Sequence, residues 1–130
     1  MSTGDDGGEA ASRPVLLVED SDLVARSLVR MFRNTRYEPV VAESAAAAHA
    51  LLARQDGGGT RFCAALVDRG LPDADGLRLA REIRGNHGLP VAVISGELAP
   101  HGEDLPWLMK PFRPHELHAL LGSLDVEGLD

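Results

Sequence analysis

Short apolar runs alternate with stretches whose apolar residues recur at helical spacing, and this alternation most limits what the chain can fold into. The runs are Val15–Val18, Tyr37–Ala42, Cys63–Val67, Val91–Ile94 and Trp107–Met109. Strand and amphipathic helix in strict succession are the pattern of βαβ units, which places parallel strands in one sheet with helices on its faces. Four of the runs end in polar residues: Glu19-Asp20, Asp68, Ser95 and Lys110-Pro111. Parallel strands all point the same way, so these groups converge at one edge of one sheet, where loops carry chemistry.

The intervening elements follow from local signals. A first helix is expected over about Ser21 to Arg33, with Ser21 as N-cap and Val24, Leu28, Met31 and Phe32 on its buried face. A second begins at the N-cap Ser44, buries Ala48, Leu51 and Leu52, and stops at Gly57-Gly58-Gly59. The third spans roughly Gly76 to Arg84, turns Ala80 and Ile83 inward, and ends at Gly85-Asn86. The last runs from about Pro114 to Leu124 with a stripe of Leu117, Leu120, Leu121 and Leu124. Between Gly96 and Pro106 there are 11 residues with breakers at 96, 100, 102 and 106. A parallel crossover needs about 10–12 residues, so this one has room for a turn but not a full helix. It is expected to be an irregular, mobile loop held by Leu98 and Leu105.

Length and composition fit one domain of 130 residues, 44% hydrophobic and 25% charged. Residues 1–12 are small, polar and acidic and are expected to be a disordered tail; 13–125 form the domain, and 126–130 a C-terminal tail. The formal net charge of −7, with 13 Lys+Arg against 20 Asp+Glu, argues against nucleic acid as a partner. The longest apolar runs, about five residues, fall far short of the roughly 20 that span a membrane, and no signal peptide is evident. Cys63 is the one cysteine, which rules out an internal disulfide. A cytoplasmic protein is expected.

Two carboxylates on neighbouring strands about 5 Å apart repel by roughly 3 kcal/mol at an effective dielectric near 20. Glu19, Asp20 and Asp68 together therefore call for a cation. A hard oxygen donor set without cysteine or strand-end histidine favours Mg2+. Lys110 brings a point charge suited to a phosphoryl group and Ser95 a hydroxyl donor. Such a set is suited to in-line transfer of a phosphoryl group onto Asp68. Singly, each signal has an ordinary explanation as a solvated loop, an Asx turn or a Lys-Pro turn; together, each on its own strand end, they do not.

Val-Leu-Leu-Val-Glu-Asp-Ser at 15–21, Leu-Val-Asp-Arg-Gly-Leu-Pro-Asp-Ala-Asp-Gly at 66–76, Pro-Val-Ala-Val-Ile-Ser-Gly at 90–96 and Leu-Met-Lys-Pro-Phe at 108–112 resemble the receiver domain of two-component response regulators, over roughly residues 13–125. The resemblance implies a doubly wound, five-stranded parallel sheet of order 2-1-3-4-5, flavodoxin-like, here with the fourth helix missing or reduced to a turn. It implies Asp68 as phosphoacceptor. It implies Mg2+ held by Asp20, Asp68 and the backbone carbonyl of Gly70, with Glu19 acting through water. Ser95 would bond a phosphoryl oxygen, Lys110 would pair with its charge, and the Lys110–Pro111 bond would be cis. Trp107 stands at the position of the aromatic switch residue, against the plainer reading that it caps the sheet edge.

The implied partners are a histidine kinase or histidine phosphotransfer protein and an unknown downstream protein, with the chain a monomer. The shortened fourth crossover resembles receivers of hybrid histidine kinases and certain stand-alone receivers. The role is that of a signalling phosphoacceptor rather than an enzyme, with a phosphate sink or shuttle as an alternative. A haloacid dehalogenase-like phosphatase also phosphorylates a strand-end aspartate, but needs an acid two residues later, where Gly70 stands. A non-phosphorylated scaffold is disfavoured by the complete set of polar residues. His115-Glu116-Leu117-His118 has HxxH rather than HExxH spacing, and Gly57-Gly58-Gly59 lacks the lysine and hydroxyl of a phosphate loop.

Overall fold

The computed structural model describes residues 12–59 and 61–128. Its strands are β1 (Arg13–Val18), β2 (Tyr37–Ala42), β3 (Ala64–Asp68), β4 (Val91–Ser95) and β5 (Trp107–Met109). The helices are α1 (Asp22–Met31), α2 (Ala45–Asp56), α3 (Gly76–His87) and α4 (Pro114–Gly128). All strand pairs are parallel and the order is β2-β1-β3-β4-β5, the doubly wound 2-1-3-4-5 arrangement.

The two-residue period of a strand sorts the apolar side chains into two cores. Leu16 and Val18 of β1, Ala65 and Val67 of β3, and Val91 and Val93 of β4 join Ala48 and Leu52 of α2 and Ala80 and Ile83 of α3. Val15 and Leu17, Ala64 and Leu66, and Ala92 and Ile94 face the other way, onto Leu28 of α1 and Leu117, Leu121 and Leu124 of α4. Both faces are covered, so the central strands read as unbroken apolar runs. The stripes expected for the helices are broadly present. Phe32 is buried, whereas Val24, Met31, Leu51 and Leu120 lie half-buried at the margins.

Helix starts match their signals. The Ser21 hydroxyl accepts from the Val24 N–H at 3.3 Å, and Ser44 from the Ala47 N–H at 3.0 Å. Three boundaries differ. α1 ends at Met31 rather than Arg33. α3 does not stop at Gly85-Asn86 but runs to His87, because the residue that turns left-handed is Gly88 (φ 66°), whose N–H closes on the Arg84 carbonyl. α4 continues past Leu124, so residues 126–128, expected in the C-terminal tail, extend it. Of the N-terminal tail, residues 1–11 lie outside the described residues.

The crossover from β4 to β5 holds no helix over residues 96–106. Its anchors differ from the expected pair. Leu105 is buried, but Leu98 is 77% exposed. Polar contacts take its place: the Glu103 side chain, 1% exposed, pairs with Arg81 of α3 and accepts the Leu105 N–H at 2.9 Å. Trp107 Nε1 donates to the Glu97 carbonyl at 2.9 Å.

Candidate functional site

Strand parity also builds the site. Glu19 follows β1 in the phase of Val15 and Leu17, Asp68 ends β3 in the phase of Ala64 and Leu66, and Lys110 follows β5 in the phase of Leu108. All three therefore emerge on the α1 and α4 side of the sheet. Register brings them level, since Val18 pairs with Val67 and Asp68 with Ile94. The outcome is a cluster in which Lys110 Nζ lies 3.6 Å from Glu19 Oε1 and 3.5 Å from Asp68 Oδ1.

Carboxylate oxygens of Glu19, Asp20 and Asp68 all lie within 4.8 Å of one another. Asp20 is exposed, whereas Glu19 is 2% and Asp68 9% exposed. Burial pushes the Glu19 carboxyl above its ordinary range. The Ser21 N–H, donating at 3.1 Å, opposes this, as does Lys110; Asp68 and Asp20 add to the rise. One oxygen, Glu19 Oε1, is buried without a hydrogen bond. Three carboxylates gathered within 4.8 Å, one of them carrying a buried oxygen without a hydrogen-bond partner, fit a hard divalent cation.

Ser95 ends β4 at 5% exposure, one residue beyond the Asp68–Ile94 pair. Its hydroxyl oxygen accepts the Glu97 N–H at 3.0 Å, and its carbonyl accepts the Lys110 N–H at 2.7 Å. Beside Asp68 opens a cleft of about 400 Å3 lined by Arg69, Gly70, Asp75, Ser95 and Glu97. The Lys110–Pro111 peptide is cis. Trp107 stands apart from the carboxylates: it is half-buried against the α2/α3 core, and the Arg69 guanidinium lies 5.6 Å from its ring centroid.

Several residues that shape the site were not singled out from the sequence. Gly76 begins α3 hard against the end of β3, where a Cβ would lie 2.1 Å from the Asp68 carbonyl oxygen. The Asp-Gly pair at 75–76 was the available signal, with Asp75 capping α3 by accepting the Leu77 N–H at 3.1 Å. Asp73 reaches back to α2 and accepts the Ala45 and Ala46 N–H groups at 2.9 and 3.2 Å. These bonds hold its carboxyl below the usual range. Arg69 carried no signal beyond its place after Asp68.

Comparison with known proteins agrees with this fold. A receiver domain protein, described as CheY-like, from Methanospirillum hungatei JF-1 superposes with a TM-score of 0.75. It is 22% identical, over 90% of this chain and 96% of its own. A sensor protein from Polaromonas sp. JS666 gives 0.75 at 28% identity, over 89% and 98%. The chemotaxis protein CheY4 of Vibrio cholerae gives 0.72 at 24%, over 88% and 99%. No curated protein matches. The family model described as the response regulator receiver domain matches residues 15–122, which cover the α2/α3 core, most of the α1/α4 core, all four strand ends and the acidic cluster, and the chain belongs to that family.

Proposed function

We propose that this protein is the phosphoacceptor of a two-component relay, receiving a phosphoryl group from phosphohistidine on a histidine kinase or histidine phosphotransfer protein. The observation that carries the reading is the Lys110 ammonium poised between Asp68 and the buried Glu19, at 3.5 and 3.6 Å. Asp68 is the nucleophile. Its carboxylate oxygen attacks phosphorus, the bond from phosphorus to the donor's imidazole nitrogen breaks, and that nitrogen leaves with the bonding electron pair and is protonated from solvent. Lys110 balances the charge transferred to the acyl phosphate. Ser95 accepts from Glu97 through its oxygen, which leaves its hydroxyl proton to donate to a phosphoryl oxygen.

Asp20 and Asp68, the Gly70 carbonyl and, through water, Glu19 would hold Mg2+. When bound, this ion neutralises charge on the phosphoryl oxygens. The domain, expected over 13–125 and extended to 128 by α4, signals by a change of shape read by a downstream protein, with Trp107 at the switch position. Among the described residues no helix is long and apolar enough to cross a membrane. A cytoplasmic monomer without catalytic turnover of its own is the setting this reading implies.

Intact mass spectrometry after incubation with Mg2+ and acetyl phosphate tests it. One added phosphate is expected on the wild type and none on Asp68→Asn; equal labelling of both would refute the assignment.

A further inference from the structure

Among the described residues Arg69 is the one cation that lines the cleft beside Asp68, and no established feature of the site uses it. Its backbone is fixed, with its N–H donating to the Ile94 carbonyl at 3.0 Å and its carbonyl accepting from Gly76 at 3.0 Å. Its guanidinium lies over Trp107, 5.6 Å from the ring centroid. Trp107 belongs to β5 and Arg69 follows β3, so the side chain crosses the end of β4, the strand that presents Ser95. Among the described residues Arg69 makes no ion pair. A half-exposed guanidinium over an aromatic face is weakly held, whereas a doubly charged phosphoryl group offers a fork of charge-assisted hydrogen bonds.

We infer that Arg69 exchanges its stack on Trp107 for the phosphoryl group on Asp68, holding that group and uncovering the indole in one movement. Trp107 is then released by losing its cation rather than by being pulled inward. Because its Nε1 donates to Glu97, the change passes into the 96–106 crossover. The inference rests on the phosphoacceptor reading and adds a ligand and a coupling route to it.

Trp107 is the only tryptophan, so its emission reports the event alone. The full chain, wild type or Arg69→Ala, is titrated with beryllofluoride in saturating Mg2+. Binding is followed by 19F NMR and the indole by fluorescence. Arg54→Ala, which removes an exposed charge from the last turn of α2, controls for net charge. Arg69→Ala is expected to bind the anion about tenfold more weakly and to show no emission change at equal occupancy, while Arg54→Ala follows the wild type. Affinity equal to wild type in Arg69→Ala, or an undiminished emission change, overturns the inference while leaving the phosphoacceptor reading intact. No anion binding by the wild type overturns both.

Discussion

Gly76 and Asp68 meet backbone to backbone: a methyl group at position 76 would lie 2.1 Å from the Asp68 carbonyl oxygen and 2.8 Å from its carbonyl carbon. The glycine is required for closeness, not for an unusual torsion. Gly76→Ala must push α3 away from the strand end, and overpacking of this kind costs about 1–3 kcal/mol, or more where backbone is the obstacle. A fall in Tm of roughly 10 °C is expected by calorimetry, together with slower phosphorylation of the displaced Asp68. An unchanged Tm would show that the loop yields freely.

Lys110 and a divalent ion compete for the same carboxylates. Lys110→Ala removes a positive charge 3.5 Å from Asp68 and 3.6 Å from Glu19. Mg2+ affinity, measured by isothermal titration calorimetry, should therefore rise by about tenfold, the ratio that 1.4 kcal/mol of relieved repulsion gives. Asp20→Asn should weaken it. Opposite signs in the two variants are the test; weaker Mg2+ binding in Lys110→Ala would place the ammonium among the groups that organise the metal site.

At the far end of the sheet, Asp125 of α4 is buried and takes hydrogen bonds from Arg13, from Arg36 at 2.8 Å and from the Tyr37 hydroxyl at 3.2 Å. Burial alone would raise its carboxyl. Arg13, Tyr37 and Arg36 outweigh that and hold it below the ordinary carboxylate range. A carboxyl lowered on folding stabilises above its unfolded value near 3.9, and that contribution is lost as pH falls through the folded value. Asp125→Asn should cost about 2 kcal/mol at pH 7, and its stability should fall less than the wild type's below about pH 4. Parallel acid limbs in urea unfolding would assign the acid sensitivity elsewhere.

Glu103 fastens the helix-free crossover to α3 through Arg81 and caps the Leu105 N–H at 2.9 Å. Glu103→Ala removes both contacts, at about 1 kcal/mol, from a segment with few apolar anchors. Amide exchange at Leu105 and its neighbours should accelerate by several-fold, with exchange in β3 unchanged. Beryllofluoride should slow exchange across 97–105 in the wild type; exchange indifferent to both changes would show that the crossover is held by its backbone alone.

The candidate site was legible because each of its charged groups sits at a strand end, where an apolar run stops and a polar residue begins. Asp68 after Val67 and Lys110 after Met109 needed only the βαβ alternation to be brought together. Features that depend on a second segment were not legible. Gly85 and Gly88 look alike as helix stops, and only the backbone torsion at Gly88 separates them. Leu98 reads as an anchor yet is exposed, and Glu103, which carried no signal, is the buried anchor, because Arg81, 22 residues away, supplies its partner. Asp73 caps a helix that begins 28 residues before it, a contact no local pattern encodes.

The sorting of β3 into two alternating sets has a consequence for how this domain tolerates change in length. Ala64, Leu66 and Asp68 share one face, Ala65 and Val67 the other. Deleting one residue within the strand would send the acid toward α3 and exchange the two sets of apolar side chains between cores of different shape. The reactive carboxylate and the interior thus stay in phase only as a unit. Insertions and deletions belong in loops such as 57–59, and a frame slip within β3 would remove fold and chemistry in one event.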